Sequence, residues 1–148
     1  MPAVTIAPER LTLRSSLSEL ERLARWINDI ARRAEPSAEQ AFAIQLCLEE
    51  ATANIVMYGG APDDASIDIE FTMVDGVVTV VIEDWARAFD PTQVPPRTKP
   101  LSLSDARVGG VGVHLIRNYS SEMRYERGGN RNRLILRFDR TRGGTAAQ

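Results

Sequence analysis

Between Ile67 and Ile82 the chain alternates apolar and polar side chains and then becomes almost wholly β-branched, with Asp75-Gly76 in between. Successive side chains of a strand point to opposite sides, so Ile67, Ile69, Phe71 and Met73 share one apolar face. Val77 to Ile82 supplies a partner strand, and Asp-Gly tolerates the positive φ angles of a two-residue hairpin. An antiparallel pair with one apolar face must be covered by another layer. The remaining sequence therefore has to provide that cover.

Upstream the period is helical. Ser15-Ser16-Leu17-Ser18-Glu19 reads as a helix start, and Leu17, Leu20, Leu23, Ala24, Ile27, Ile30 and Ala31 keep one stripe. Glu35-Pro36 ends that helix, Ser37 with Glu39-Gln40 caps a second one running to about Tyr58, and Gly59-Gly60-Ala61-Pro62 stops it. Ile6 to Leu13 suits a first strand, placed at a sheet edge by Pro8. Downstream, Trp85 to Asp105 holds Pro91, Pro95, Pro96 and Pro100 without a period and reads as a long loop. Gly109-Gly110-Val111-Gly112 opens a third helix through about Tyr119. Two strands follow near Glu122 to Arg127 and Leu134 to Asp139, joined at Gly128-Gly129-Asn130, and the tail from Thr141 to Gln148 is expected to fray. This order predicts an α+β two-layer sandwich: a mixed, mostly antiparallel sheet covered on one face by about three helices. At 148 residues and 43% hydrophobic, residues 1–148 are expected to form a single domain.

Composition narrows the function classes. Eighteen basic against 20 acidic residues, a formal charge of -2, provide neither a basic field for direct nucleic-acid binding nor a polybasic segment for a membrane. The single Cys47 excludes an internal disulfide, no apolar run approaches the roughly 20 residues of a membrane span, and Met1 to Ile6 has no signal-peptide pattern. A cytoplasmic location is expected.

Three stretches carry chemistry. In Glu49-Glu50-Ala51-Thr52-Ala53-Asn54, Ile44, Leu48, Ala51 and Ile55 form the core stripe, while Glu50 and Asn54 lie one above the other about 120° away. A carboxylate there suits proton abstraction, and a neutral amide oxygen suits a hard cation such as Mg²⁺. An acid and an amide at this spacing also occur on solvated helix faces. Glu49 is turned about 100° from Glu50. Asp84 ends the strand Val80-Val81-Ile82-Glu83, at a rim where a carboxylate accepts from an exocyclic amine; a turn-forming Asp is the plain alternative. Gly110-Val111-Gly112-Val113 begins a helix whose backbone N–H groups suit phosphate, although a lone Gly-x-Gly is weakly diagnostic and neither a dinucleotide fingerprint nor a Walker loop is present.

Together, acid-x-x-x-Asn on a helix, a strand ending in Asp and a long loop closing at Gly-x-Gly resemble the N, G1 and G2 boxes of the gyrase, histidine kinase and MutL-type (GHKL) ATPase superfamily, with its Bergerat ATP-binding fold. Within it, Glu49 to Asn54, Phe89-Asp90-Pro91, Gly110 to Arg117, Met123 to Arg127 and Asn130 to Leu134 are similar to the stand-alone serine/threonine kinases that act as anti-sigma factors. The resemblance implies ATP and Mg²⁺ as cofactors, Glu50 as general base toward a substrate Ser or Thr, Asn54 as Mg²⁺ ligand and Asp84 as the adenine contact. It implies a lid hinged at Gly110 and Gly112, with Val111 and Val113 against the nucleotide. Its partners would be a small STAS-type anti-sigma factor antagonist, which is phosphorylated, and an alternative sigma factor, which is sequestered; a homodimer is admitted as well.

The chain departs from that pattern where Ala86 replaces a glycine of the G1 box, and where Val108 stands directly before the lid glycines with Arg107 one residue earlier as a substitute γ-phosphate contact. A threonine contact from the last strands has no counterpart at Asn132-Arg133. Ala86 and Val108 keep open a nucleotide-binding regulatory module without phosphotransfer. His114, the only histidine, and Cys47 read as packing residues. Trp85 reads either as packing under the lid or as an interface anchor.

Overall fold

The computed structural model describes residues 4–96 and 110–140. Strand β1 (Ile6–Arg14) leads through a short 3-10 turn into α1 (Leu20–Ala34), and α2 (Ala38–Tyr58) follows directly. β2 (Ser66–Val74) and β3 (Val77–Asp84) form the expected hairpin, with Asp75 at φ 50° and Gly76 at φ 81° in its two-residue turn. α3 (Gly110–Tyr119), β4 (Glu122–Gly128) and β5 (Arg131–Phe138) complete the order. The sheet runs β1-β2-β3-β5-β4.

Two expectations are corrected. The sheet is antiparallel at every one of its pairings, not mixed, because β5 returns beside β3 in the opposite direction. β5 also starts at Arg131, three residues before the expected Leu134, since Gly129 (φ 60°) and Asn130 (φ 61°) alone make the turn. Arg131-Asn132-Arg133 therefore belongs to the sheet. β1 lies at an edge, and its register shifts between Ile6 and Glu9, around Pro8, where a missing N–H is tolerated. The frayed tail, Arg107 and Val108 lie outside the described residues.

One sheet face is apolar and carries the helices. Leu13, Ile67, Ile69, Phe71, Met73, Val78, Val80, Ile82, Leu136 and Phe138 point into a core closed by Leu23, Ile27 and Ile30 of α1 and Ala43, Ile44, Cys47, Leu48 and Ala51 of α2. Cys47 is fully buried, with its sulfur 3.9 Å from the Ile116 carbonyl of α3, as a small packing residue should be. The opposite sheet face is polar, with Arg10 paired to Glu70 and Arg131 to Glu83. Among the described residues no helix is long and apolar enough to cross a membrane.

The entry to α1 is fixed by Glu19. Ser16 caps the 3-10 turn by accepting from Ser18 N–H. Glu19 Oε2 accepts from the Arg14 backbone N–H at 2.9 Å and from Arg22 Nη2 at 3.0 Å, tying the end of β1 to the first turn of α1. The hydrogen bonds from Arg22 and Arg14 hold the Glu19 carboxyl at about 2, well below its ordinary 4.5. A depressed carboxyl pKa contributes stability that is present above the ordinary value and lost as pH falls toward the folded one. Glu19→Gln should therefore cost about 1–2 kcal/mol near neutral pH, and the difference from wild type should shrink as pH falls from 4.5 toward 2 in urea titrations followed by circular dichroism. A gap independent of pH would contradict this account.

Candidate functional site

α2 brings the acid and the amide of the sequence pattern to one place. The first turn of α3 crosses that face with Gly112 against it: a Cβ on Gly112 would lie 2.9 Å from Glu50 Oε2, 2.9 Å from Asn54 Nδ2 and 3.4 Å from Asn54 Oδ1. Only a residue without a side chain lets the helix start approach both groups without displacing them. Glu50 has its carboxyl pKa raised above the usual value, first by burial and then by the neighbouring negative charge of Glu49. Glu49 itself takes a hydrogen bond from Gln45 Nε2 at 3.0 Å, one turn earlier on the same helix.

Next to this pair opens a cavity of about 250 Å³, lined from α2 by Asn54, Ile55 and Tyr58, from the end of β3 and its loop by Asp84, Ala86 and Phe89, from α3 by Val113, and from the last strands by Tyr125 and Asn132 among others. Ile55, expected in the core, is only partly buried and forms part of this wall. The structure thus brings Asn54, Asp84, Ala86 and Val113 onto one cavity and sets Glu50 and Gly112 beside it. Gly110 begins α3 and Val111 is partly buried in its first turn.

Asp84 sits where the buried face of β3 ends and is 5% exposed. Its Oδ1 accepts from the Ala86 N–H at 2.9 Å and from Asn132 Nδ2 at 2.9 Å. Both described bonds fall on Oδ1, and none is described on Oδ2. Ala86 is buried, and its Cβ would be 2.6 Å from a Cβ on Gly59. The methyl that replaces the G1 glycine is thus packed over a second glycine, at the end of α2. Arg87 N–H donates to the Gly59 carbonyl at 3.1 Å, which holds the two segments together. On the far side, Arg117 of α3 donates to the Pro91 and Val94 carbonyls at 3.2 and 2.7 Å, tethering that helix to the loop after β3.

Asn132 is the site residue that the sequence pattern left without a role. It is 6% exposed and stands opposite Asp84 in the β3–β5 register. The polar run Arg131-Asn132-Arg133 resembles a loop; the signal that would have found it is the positive-φ pair Gly129-Asn130, which starts β5 early enough to turn Asn132 inward. His114 is half-buried on α3, and Trp85 is 46% exposed and lies outside the cavity lining.

A family model described as the histidine kinase-like ATPase domain matches residues 13–138. The serine/threonine-protein kinase BtrW of Bordetella bronchiseptica is 36% identical over 114 residues, a match that spans 75% of this chain and 79% of that protein. Among solved structures, the crystal structure of the RsbU and RsbW domains of Rv1364c from Mycobacterium tuberculosis is similar with a TM-score of 0.66 at 15% identity, covering 90% of this chain and 32% of that one. The chain therefore spans about a third of that longer protein, and the likeness is one of fold.

The raised pKa of Glu50 has a consequence for stability. Ionising a carboxyl whose folded pKa is raised costs folding free energy, so the contribution is present below the ordinary 4.5 and is lost as pH climbs through the folded value. Glu50→Gln keeps the uncharged state at all pH values. Its melting temperature should equal wild type near about pH 4 and exceed it near about pH 8. A variant less stable than wild type at the higher pH would contradict the burial described for this group.

Proposed function

The chain belongs to the histidine kinase-like ATPase domain family, and from that premise we propose that it is a serine/threonine-protein kinase acting as an anti-sigma factor in a partner switch. It uses Mg-ATP to phosphorylate a Ser or Thr of a small STAS-type antagonist and, when free of that antagonist, sequesters an alternative sigma factor in the cytoplasm. The observation that carries the reading is the approach of Gly112 to Glu50 and Asn54 beside a cavity that Asn54 shares with Asp84. A base, an amide oxygen, a helix start and a buried acid are there within one site.

The residues suit the parts of a nucleotide. Adenine fits the apolar walls of Ile55 and Val113, with its exocyclic amine donating to Asp84 Oδ2. The phosphates would lie toward Gly112, where backbone N–H groups at the start of α3 favour negative charge. Asn54 is the oxygen donor for Mg²⁺. Among the described residues no three His, Cys, Asp or Glu side chains converge on a metal position, and such a sparse donor set fits an ion that keeps several waters and phosphate oxygens. When bound, Mg²⁺ supplies neutralisation of phosphate charge.

Glu50 acts on the acceptor. As the substrate hydroxyl oxygen bonds to the γ-phosphorus, its proton passes to a Glu50 carboxylate oxygen, the bond to the β–γ bridging oxygen breaks and ADP leaves. Burial raises the affinity of Glu50 for that proton and brings its pKa closer to the operating pH, where a general base works best. Ionised Glu50 is the active form, so the rate should rise with pH through a value above the ordinary 4.5. Arg107 is proposed as the γ-phosphate contact.

The test is transfer of label from ATP to a candidate STAS-type antagonist protein, with Mg²⁺ and with Glu50→Ala in parallel. Label on the antagonist that falls by about 10²–10⁴-fold in the variant is the expected result. Tight nucleotide binding without transfer in wild type would instead favour a nucleotide-binding regulatory module, the reading that Ala86 supports by adding a methyl at the cavity wall.

A further inference from the structure

We infer that Asn132 is a positioning residue that fixes the hydrogen-bonding face Asp84 shows to a purine, and thereby sets a preference for adenine over guanine. The inference rests on the reading above that Asp84 meets the base. It starts from three strands side by side: Asp84 of β3 is the register partner of Asn132 of β5, and Asn132 is the partner of Arg127 of β4. All three side chains lie on the helix-covered side, where an uninterrupted strand pattern would place apolar groups.

The Asn132 carboxamide is fully engaged. Its Nδ2 donates to Asp84 Oδ1 at 2.9 Å and to the Arg87 carbonyl at 3.0 Å, with the Ala86 carbonyl at 3.4 Å. Its Oδ1 accepts from Arg127 Nη1 at 2.9 Å and from the Tyr125 hydroxyl. An amide has two N–H donors and two carbonyl lone pairs, so this set exhausts it. The opposite orientation would aim the carbonyl at the Asp84 carboxylate and the NH₂ at the Arg127 guanidinium, and both contacts would be repulsive. Arg127 Nη1 also reaches the Ala86 carbonyl at 3.2 Å, which closes the ring of bonds around the turn after β3.

This arrangement has a chemical consequence. A donor seated on Oδ1 leaves Oδ2 as the Asp84 acceptor oxygen without a described partner, on a residue that lines the cavity. An acceptor there takes the 6-amino group of adenine and opposes the 6-oxo group of guanine. Asn132 has no donor left for the base, so it works through Asp84. Tyr125 and Arg127 hold the amide the right way round.

Isothermal titration with Mg-ADP and Mg-GDP tests this without relying on phosphotransfer. Wild type should prefer ADP, and Asn132→Leu should reduce the ADP-to-GDP affinity ratio by about tenfold or more, because a carboxyl held by the Ala86 N–H alone is less fixed in the direction it shows the base. Tyr125→Phe should move the ratio in the same direction by less, since Arg127 still donates. Asn132→Asp sets two carboxyls together, which share a proton at low pH. ADP affinity of that variant should climb between about pH 5 and 8 more steeply than that of wild type. An Asn132→Leu variant that weakens both nucleotides equally, or an Asn132→Asp profile that runs parallel to wild type, would overturn the inference. If Asp84→Asn leaves wild-type ADP affinity unchanged, the reading of the base site itself fails. If Asp84→Asn abolishes binding but Asn132→Leu keeps the ratio, only the role of Asn132 fails.

Discussion

The crossing of α3 over α2 at Gly112 is the contact that makes a site from two helices and a sheet. α2 must bury Ile44, Leu48 and Ala51 against the sheet, and the same cylinder carries Glu50 and Asn54 on the side that α3 approaches. A β-carbon at Gly112 would lie 2.9 Å from Glu50 Oε2 and from Asn54 Nδ2 and would displace those side-chain ends. With glycine there, the positive end of α3 comes close to a half-buried carboxylate and an amide. Burial then raises the proton affinity of Glu50. Local backbone geometry, packing and protonation chemistry at this point have one cause.

The opposite wall is made by hydrogen bonds between strands. Asp84 ends β3 at the margin of the core, where a carboxylate loses water and must be held by donors. Asn132 and the Ala86 N–H supply them. Ala86 in turn packs over Gly59, so the end of α2 and the turn after β3 are fitted together. Arg117 fastens α3 to the continuation of that loop. The cavity is therefore bounded on one side by a close helix crossing and on the other by a polar row in an antiparallel sheet.

Much of this was legible in the chain. The alternation from Ile67 to Met73 and the Asp75-Gly76 turn dictated the central hairpin, and the Ser37 cap and the Gly59-Gly60 stop bounded α2. Helical spacing alone separated Glu50 from Glu49. β5 was placed three residues late because Arg131, Asn132 and Arg133 are polar, and polarity outside an apolar pattern reads as loop. The residue that broke the pattern faces the site, where local rules and function conflict most often. The fit of Ala86 onto Gly59, the tether from Arg117 and the amide ring at Asn132 join segments far apart in sequence. No spacing rule reaches across such separations, so these contacts could be found only once the sheet register was known.

The most direct measurement is a crystal structure of the chain with Mg²⁺ and a non-hydrolysable ATP analogue. The account predicts the adenine amine on Asp84 Oδ2, the phosphates at the start of α3 by Gly112, a metal on Asn54 Oδ1 and the γ-phosphate beside Glu50. Adenine seated elsewhere, or phosphates directed away from the Glu50–Gly112 crossing, would contradict it.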